Sequence, residues 1–190
     1  MKNRIEKLSI YSLPLDLNAP VHYSGLSKGE ELDPVFWWKK SSLEYSDKVL
    51  NKRDKDLNLE TVAFILNKTD DVLIFCSIRG KTDEILRNIK IISNKNIKQV
   101  TTLKTVKSKP KVGDTVLVTF EDTVTNYNVG SMEEILKKVS YSEPSIVGYL
   151  VSSLEDDVVM IALIKNVDLN EYKYVMAIPK DVVKSISVLN

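Results

Sequence analysis

The chain has 190 residues, 43% hydrophobic and 28% charged, with 27 Lys/Arg against 26 Asp/Glu and a single cysteine. That composition is globular, not disordered; its longest apolar runs, such as "VLIF" and "VVMIALI", fall far short of the ~20 residues a bilayer crossing needs, and one cysteine excludes an internal disulfide framework. The near-neutral total hides an asymmetry, because residues 1–111 hold 21 Lys/Arg against 14 Asp/Glu and residues 112–190 hold 6 against 12, which favours an anionic partner or attraction between unlike halves.

The opening "MKNRIEKLSIYSLPLDL" has no apolar h-region and no small-residue cleavage site, so a soluble, cytoplasmic protein is expected. His22, in "APVHYSG", is the only histidine. A zinc site needs further His or Cys ligands, and no Ser–His–Asp order can be assembled around it. It is expected to be a strand residue at a loop mouth. An insertion follows over 24–60, and within it "DPVFWWKKSSLEYSDK" (33–48) gathers Phe36, Trp37, Trp38 and Tyr45 beside Lys39 and Lys40. These rings either cap the open end of the fold or face a partner. Adjacent tryptophans in extended chain point opposite ways, and aromatic residues anchor interfaces, so this stretch is the candidate partner-binding site.

Next comes "AFILNKTDDVLIFCSIRG" (63–80), which returns in altered form as "GYLVSSLEDDVVMIALIKN" (148–166). With Val72 set against Val158, the two halves align without a gap to Leu103 against Leu189. Upstream of the acidic turn, Phe64, Ile65 and Leu66 face Tyr149, Leu150 and Val151, the second turn having one extra acidic residue. Apolar positions agree nearly throughout, which implies internal duplication. Cys76 aligns with Ala162, a place that wants a small buried side chain, so it is expected in the core and not as a nucleophile. The turns Asp70–Asp71 and Glu155–Asp156–Asp157 lack the spacing of a calcium loop and are expected to be exposed turn residues. No metal site is expected.

The stretch from Arg79 to Lys111 is strongly basic, and Arg79, Lys81, Arg87, Lys90, Lys98, Lys107 and Lys109 form the candidate anion- or nucleic-acid-binding set. Lys90 and Lys98 are placed where strand alternation could turn them outward. No aromatic residue interleaves for base stacking, which weakens the single-strand reading. "RGKTD" lacks the glycine and the helix of a phosphate loop. Residues 105–111 are predicted to be a short, stiff linker.

In the second half "DTVLVTFED" (114–122) alternates as a strand. "SMEEILKKV" (131–139) carries apolar residues at helical spacing behind a serine cap, with Glu134 completing a capping box. Strands are predicted at about 145–152, 157–164 and 172–178, a short proline-containing break at "PKDVV" (179–183), and a last strand at 184–189.

Five short strands with a long first loop and one tight turn before the last strand resemble the SH3-like and Sm-like small β-barrels. The pattern "GYLV–acidic turn–VVMIAL–YVMAIPKDVVKSISVL" is similar to short barrel proteins encoded in phage genomes. The expected architecture is therefore mainly β, with a first barrel over 1–104 carrying the 24–60 insertion, a linker over 105–111 and a second barrel over 112–190. Closure would remove edges that strands this apolar otherwise expose. The chain lacks the acidic-aromatic loop and paired tryptophans of peptide-binding SH3 domains, and the glycine and asparagine pattern of an Sm RNA pocket.

The resemblance implies a scaffold whose function lies in loops and patches. The expected function is non-enzymatic: an adaptor or inhibitor, encoded by a virus or mobile element, that engages a macromolecular partner, most simply a protein. Nucleic-acid binding through the basic surface and sequestration of an anionic small molecule such as a nucleotide are the alternatives. No nucleophile, base and oxyanion donor come together, no cofactor is implied, and the opposed charges of the halves allow homo-oligomers.

Overall fold

The structure, a computed structural model, describes residues 4–11, 13–16, 21–22, 57–80, 85–122, 143–152 and 154–190. Its described elements are thirteen strands and two short 3-10 turns, so the chain is mainly β. The first half supplies β1 (Ile5–Ile10), β2 (Leu15–Asp16), β3 (Val21–His22), β4 (Leu59–Lys68), β5 (Val72–Arg79), β6 (Ile85–Ser93) and β7 (Ile97–Thr102). The joint supplies β8 (Thr105–Val106), and the second half β9 (Thr115–Phe120), β10 (Ser145–Leu150), β11 (Val158–Asn166), β12 (Glu171–Pro179) and β13 (Val183–Leu189). The insertion beyond its last residues, and the helix expected at 131–139, lie outside the described residues.

Local sequence explains these strands. In β1 and β9 buried and half-exposed residues alternate, as a strand with one covered face requires. Every residue of β5 is buried, in keeping with "VLIFC" being a continuous apolar run instead of an alternating one.

Both halves lay out their strands alike. The first runs β7-β1-β4-β5-β6 and the second β13-β9-β10-β11-β12, all antiparallel. In each, a 3-10 turn precedes the last strand, at Asn94–Asn96 and at Lys180–Val182. The register repeats as well. Phe64 pairs with Ile5 and Cys76, and its counterpart Tyr149 pairs with Thr115 and Ala162. The N–H of Asn94 donates to the Asp71 carbonyl, and that of Lys180 to the Asp157 carbonyl. A left-handed residue within the strand corresponds as well, Asn88 at φ 55° in β6 and Tyr174 at φ 58° in β12.

The halves are joined by two ladders as well as by the chain. On β4 and β11, Thr61 pairs with Ile164 and Glu60 with Lys165. On β10 and β5, Ile146 pairs with Ile78 and Ser145 with Arg79. Exchange each residue for its counterpart in the repeat and the first ladder becomes the second. A hydrogen bond from Thr61 Oγ1 to the Leu163 carbonyl, 2.8 Å and buried, tightens the first. The core is shared too: Leu8, Phe75 and Ile78 pack in one cluster with Val118, Ile146 and Ile161. Fully burying such a side chain contributes about 1.5–3 kcal/mol.

Packing is tight at Gly148 on β10, where an added Cβ would lie 2.5 Å from the Ala162 carbonyl oxygen and 2.6 Å from Ile161 Cγ2. The joint is less free than the linker reading suggests. Its first residues form β8 against β13, and Lys104 and Asn190 exchange a pair of backbone hydrogen bonds. Gly113, at φ 93°, then turns the chain and donates its N–H to the Leu150 carbonyl.

The expected removal of edges does not extend to β12. Among the described strands it pairs with β11 alone, whereas its counterpart β6 pairs with β5 on one side and with β2 and β3 on the other.

Candidate functional site

Strand pairing puts Val158 opposite Pro179, Met160 opposite Ala177 and Ala162 opposite Val175, and paired residues share a face of the sheet. The face holding Val158, Met160, Val175, Ala177 and Pro179 is apolar throughout, and apart from Ala162 it is exposed, Val175 to 50%. The corresponding face of the first half holds Val72, Ile74, Ile89 and Ile91, none more than 6% exposed. The same pattern is thus buried in one half and presented in the other. Contiguous exposed apolar surface is the kind of feature that interaction sites use.

The edge beside this face is the second component. On β6, β2 pairs through Leu15↔Ile91 and Asp16↔Lys90, and β3 through Val21↔Leu86 and His22↔Ile85. These two short strands flank Asn88, the left-handed residue. On β12 the matching positions are Ala177, Met176, Tyr172 and Glu171, flanking Tyr174. A left-handed conformation is easy for asparagine and costly for a bulky tyrosine. Tyr174 nonetheless adopts it, half exposed, with the buried Lys90 ammonium 4.7 Å from its ring centre. Strain kept at an exposed aromatic beside an apolar face is a feature of sites that contact a ligand.

A polar cluster backs the edge. Tyr172 is half-buried on β12, its ring 6.1 Å from that of Tyr149, with Lys165 Nζ 5.6 Å from its centre. The buried Tyr149 hydroxyl donates to Glu60 Oε2 at 3.3 Å, and Lys7 lies 3.7 Å from the same carboxylate. Burial, reinforced by the Glu60 charge, holds the Tyr149 phenol far above its ordinary range, so it stays a donor. The cluster fixes the side chains behind β12 and contains no nucleophile with an adjacent base.

The residues singled out from sequence are scattered. Phe36, Trp37, Trp38, Lys39, Lys40, Tyr45 and Lys81 lie outside the described residues. Arg79 on β5 and Lys90 on β6 are buried, Lys90 to 3% with its ammonium against the Tyr174 ring; the outward orientation expected of Lys90 is not found. Arg87 pairs with Asp122 at 2.7 Å. Lys98 is exposed but donates to Asn58 Oδ1 and sits over the Tyr11 ring. Lys107 and Lys109 are exposed, and Lys109 and Lys111 line an open groove of about 360 Å³ with Asp114 and Asn190.

Among the described members of the basic set, Arg79 and Lys90 are therefore withdrawn from the surface. Cys76 is fully buried, and His22 lies in β3. The acidic residues of both turns are exposed, the first turn being clamped by Asn94 Nδ2, which donates to the Thr69 and Asp70 carbonyls. Among the described residues no group of three His, Cys, Asp or Glu could hold a metal ion, and no helix is long and apolar enough to cross a membrane.

No family model matches this chain, and neither the curated proteins nor the solved structures contain one significantly similar to it.

Proposed function

We propose that this protein is a non-enzymatic binding module that takes an extended apolar segment of a protein partner onto the β11–β12 face and the outer edge of β12. Each half is read as a small barrel of the SH3-like or Sm-like kind, supported by the five-strand order and the 3-10 turn before the fifth strand. The observation that carries the reading is the contrast between β6, whose outer edge bears two extended segments, and β12, whose edge bears none among the described residues while Tyr174 and Val175 stand half exposed. Strand addition uses main-chain hydrogen bonds for affinity and alternate side chains for specificity. An apolar edge beside an apolar face suits both.

The test is selection of displayed twelve-residue peptides on the full chain, followed by hydrogen exchange of the complexes. Selected peptides should slow exchange across 171–179, and Val175→Glu should weaken them at least tenfold while leaving the Tm within a few degrees. Protection confined to other strands, or affinity indifferent to Val175→Glu, would sink the proposal.

A second reading, nucleic-acid binding, rests on the exposure of Lys104, Lys107, Lys109 and Lys111 together along the joint. It predicts oligonucleotide affinity that falls with salt at a log–log slope of about −0.7 to −0.9 per phosphate contact. Salt-independent or absent binding removes it.

A further inference from the structure

The edge of β6 shows what this kind of edge accepts. Two dipeptides, Leu15–Asp16 and Val21–His22, pair on either side of the left-handed Asn88. Because β12 repeats the register of β6 and the left-handed residue, the same backbone path fits its outer edge. We propose, building on the binding reading above, that the partner segment pairs with β12 as Leu15–Asp16 and Val21–His22 pair with β6. It would be two extended dipeptides with four residues between them, running antiparallel to β12.

The side chains that β12 sets opposite this path then specify the ligand. The first dipeptide meets Ala177 and Met176 where β6 offers Ile91 and Lys90. The position of Asp16, paired in register with Lys90 on β6, would here be paired with Met176, which offers no cation. An apolar residue belongs at that position, and a small Ala177 beneath the preceding residue leaves room for a leucine. The second dipeptide meets Tyr172 and Glu171 where β6 offers Leu86 and Ile85. A β-branched residue suits the half-buried Tyr172 ring. Opposite the exposed Glu171, a cation suits better than a neutral histidine. The ligand class is therefore an extended peptide of the form apolar–apolar, four residues, β-branched–cationic.

The probe is a labelled peptide with the sequence of residues 13–24, LPLDLNAPVHYS, titrated onto the full chain. A second peptide carries the changes D16L and H22K. Cross-strand pairs contribute roughly 0.2–1 kcal/mol each, so the double change should tighten binding about two- to thirtyfold. Replacing the residues at positions 15 and 21 of either peptide by proline removes two main-chain donors and should abolish binding. Ala177→Lys in the protein should weaken both peptides, and bound peptide should slow exchange at 171–179.

Binding of the changed peptide no tighter than the parent overturns the proposed specificity. Protection at β6 in place of β12 overturns the placement. Failure of both peptides while peptides from the random selection protect 171–179 overturns this template alone. Failure of every peptide at β12 overturns the binding reading with it.

Discussion

The β5–β6 and β11–β12 hairpins share one alignment, one register and one left-handed residue, yet they sit in opposite environments. In the first, Val72, Ile74, Ile89 and Ile91 are buried and the outer edge is paired; in the second, Val158, Met160 and Val175 are exposed and the edge has no described partner. Hydrophobic pattern decides which face of a strand can be covered. It does not decide whether anything covers it. Backbone geometry was retained in both halves, and what differs is the surroundings.

Six substitutions, in four sets, break or sharpen that comparison. The largest effect is expected at a matched pair: Ile74→Ala should cost about 2–5 kcal/mol in urea unfolding, as buried aliphatic truncations do, whereas Met160→Ala at the corresponding exposed position should cost less than about 1 kcal/mol. Equal losses would mean that the two faces are not different environments. Gly148→Ala should cost about 1–3 kcal/mol, since the new methyl meets a carbonyl oxygen and Ile161. Its counterpart in the repeat, Ala63, already has that methyl in a buried site. At ~2–4 °C per kcal/mol for a chain of this size, the Gly148 variant should melt several degrees lower.

Exchange at the left-handed positions gives a smaller effect of predictable sign. Tyr174→Asn should stabilise by about 0.5–1 kcal/mol, the relief of a bulky left-handed residue outweighing the lost contact with Lys90. Asn88→Tyr should destabilise by a similar amount. A Tyr174→Asn protein that is stable but does not bind the selected peptides would identify strain retained for recognition. The smallest change concerns Ser77, whose buried hydroxyl has no hydrogen-bond partner among the described residues and whose counterpart is Leu163. Ser77→Ala should be neutral or raise stability by up to about 1 kcal/mol, as calorimetry would detect.

Much of the second half was legible in the sequence. β9, β11 and β12 lie within about two residues of their predicted places, and the break at "PKDVV" is the 3-10 turn. Alternation in "TVLVTF" and a tight proline turn are local signals, so they survive without tertiary information. Pairing across the joint was not legible, because Glu60 and Lys165 are more than a hundred positions apart and nothing local marks their meeting. Nor was the burial of Lys90, whose environment depends on strands arriving from residues 15–22. The exposed face was the least legible feature. Val72 and Val158, Ile74 and Met160, and Ile89 and Val175 are apolar in both halves, so composition at those positions is silent about which is covered. The strained Tyr174 was a possible sign, since its counterpart Asn88 is a residue that favours left-handed backbone.

The reciprocal ladders, Thr61 with Ile164 and Ile146 with Ile78, are the contacts of a twofold dimer written into one chain. Two separate identical subunits would necessarily show the same surface twice. Covalent union releases that constraint, because the halves remain together at high effective concentration whatever their outer surfaces become. One half can be sealed and the other left receptive. If the outer edge of β12 takes the proposed segment, the expected stoichiometry is one peptide per chain, with no avidity from the internal symmetry. A bivalent partner would bring two chains together but could not be cross-linked by them into a network.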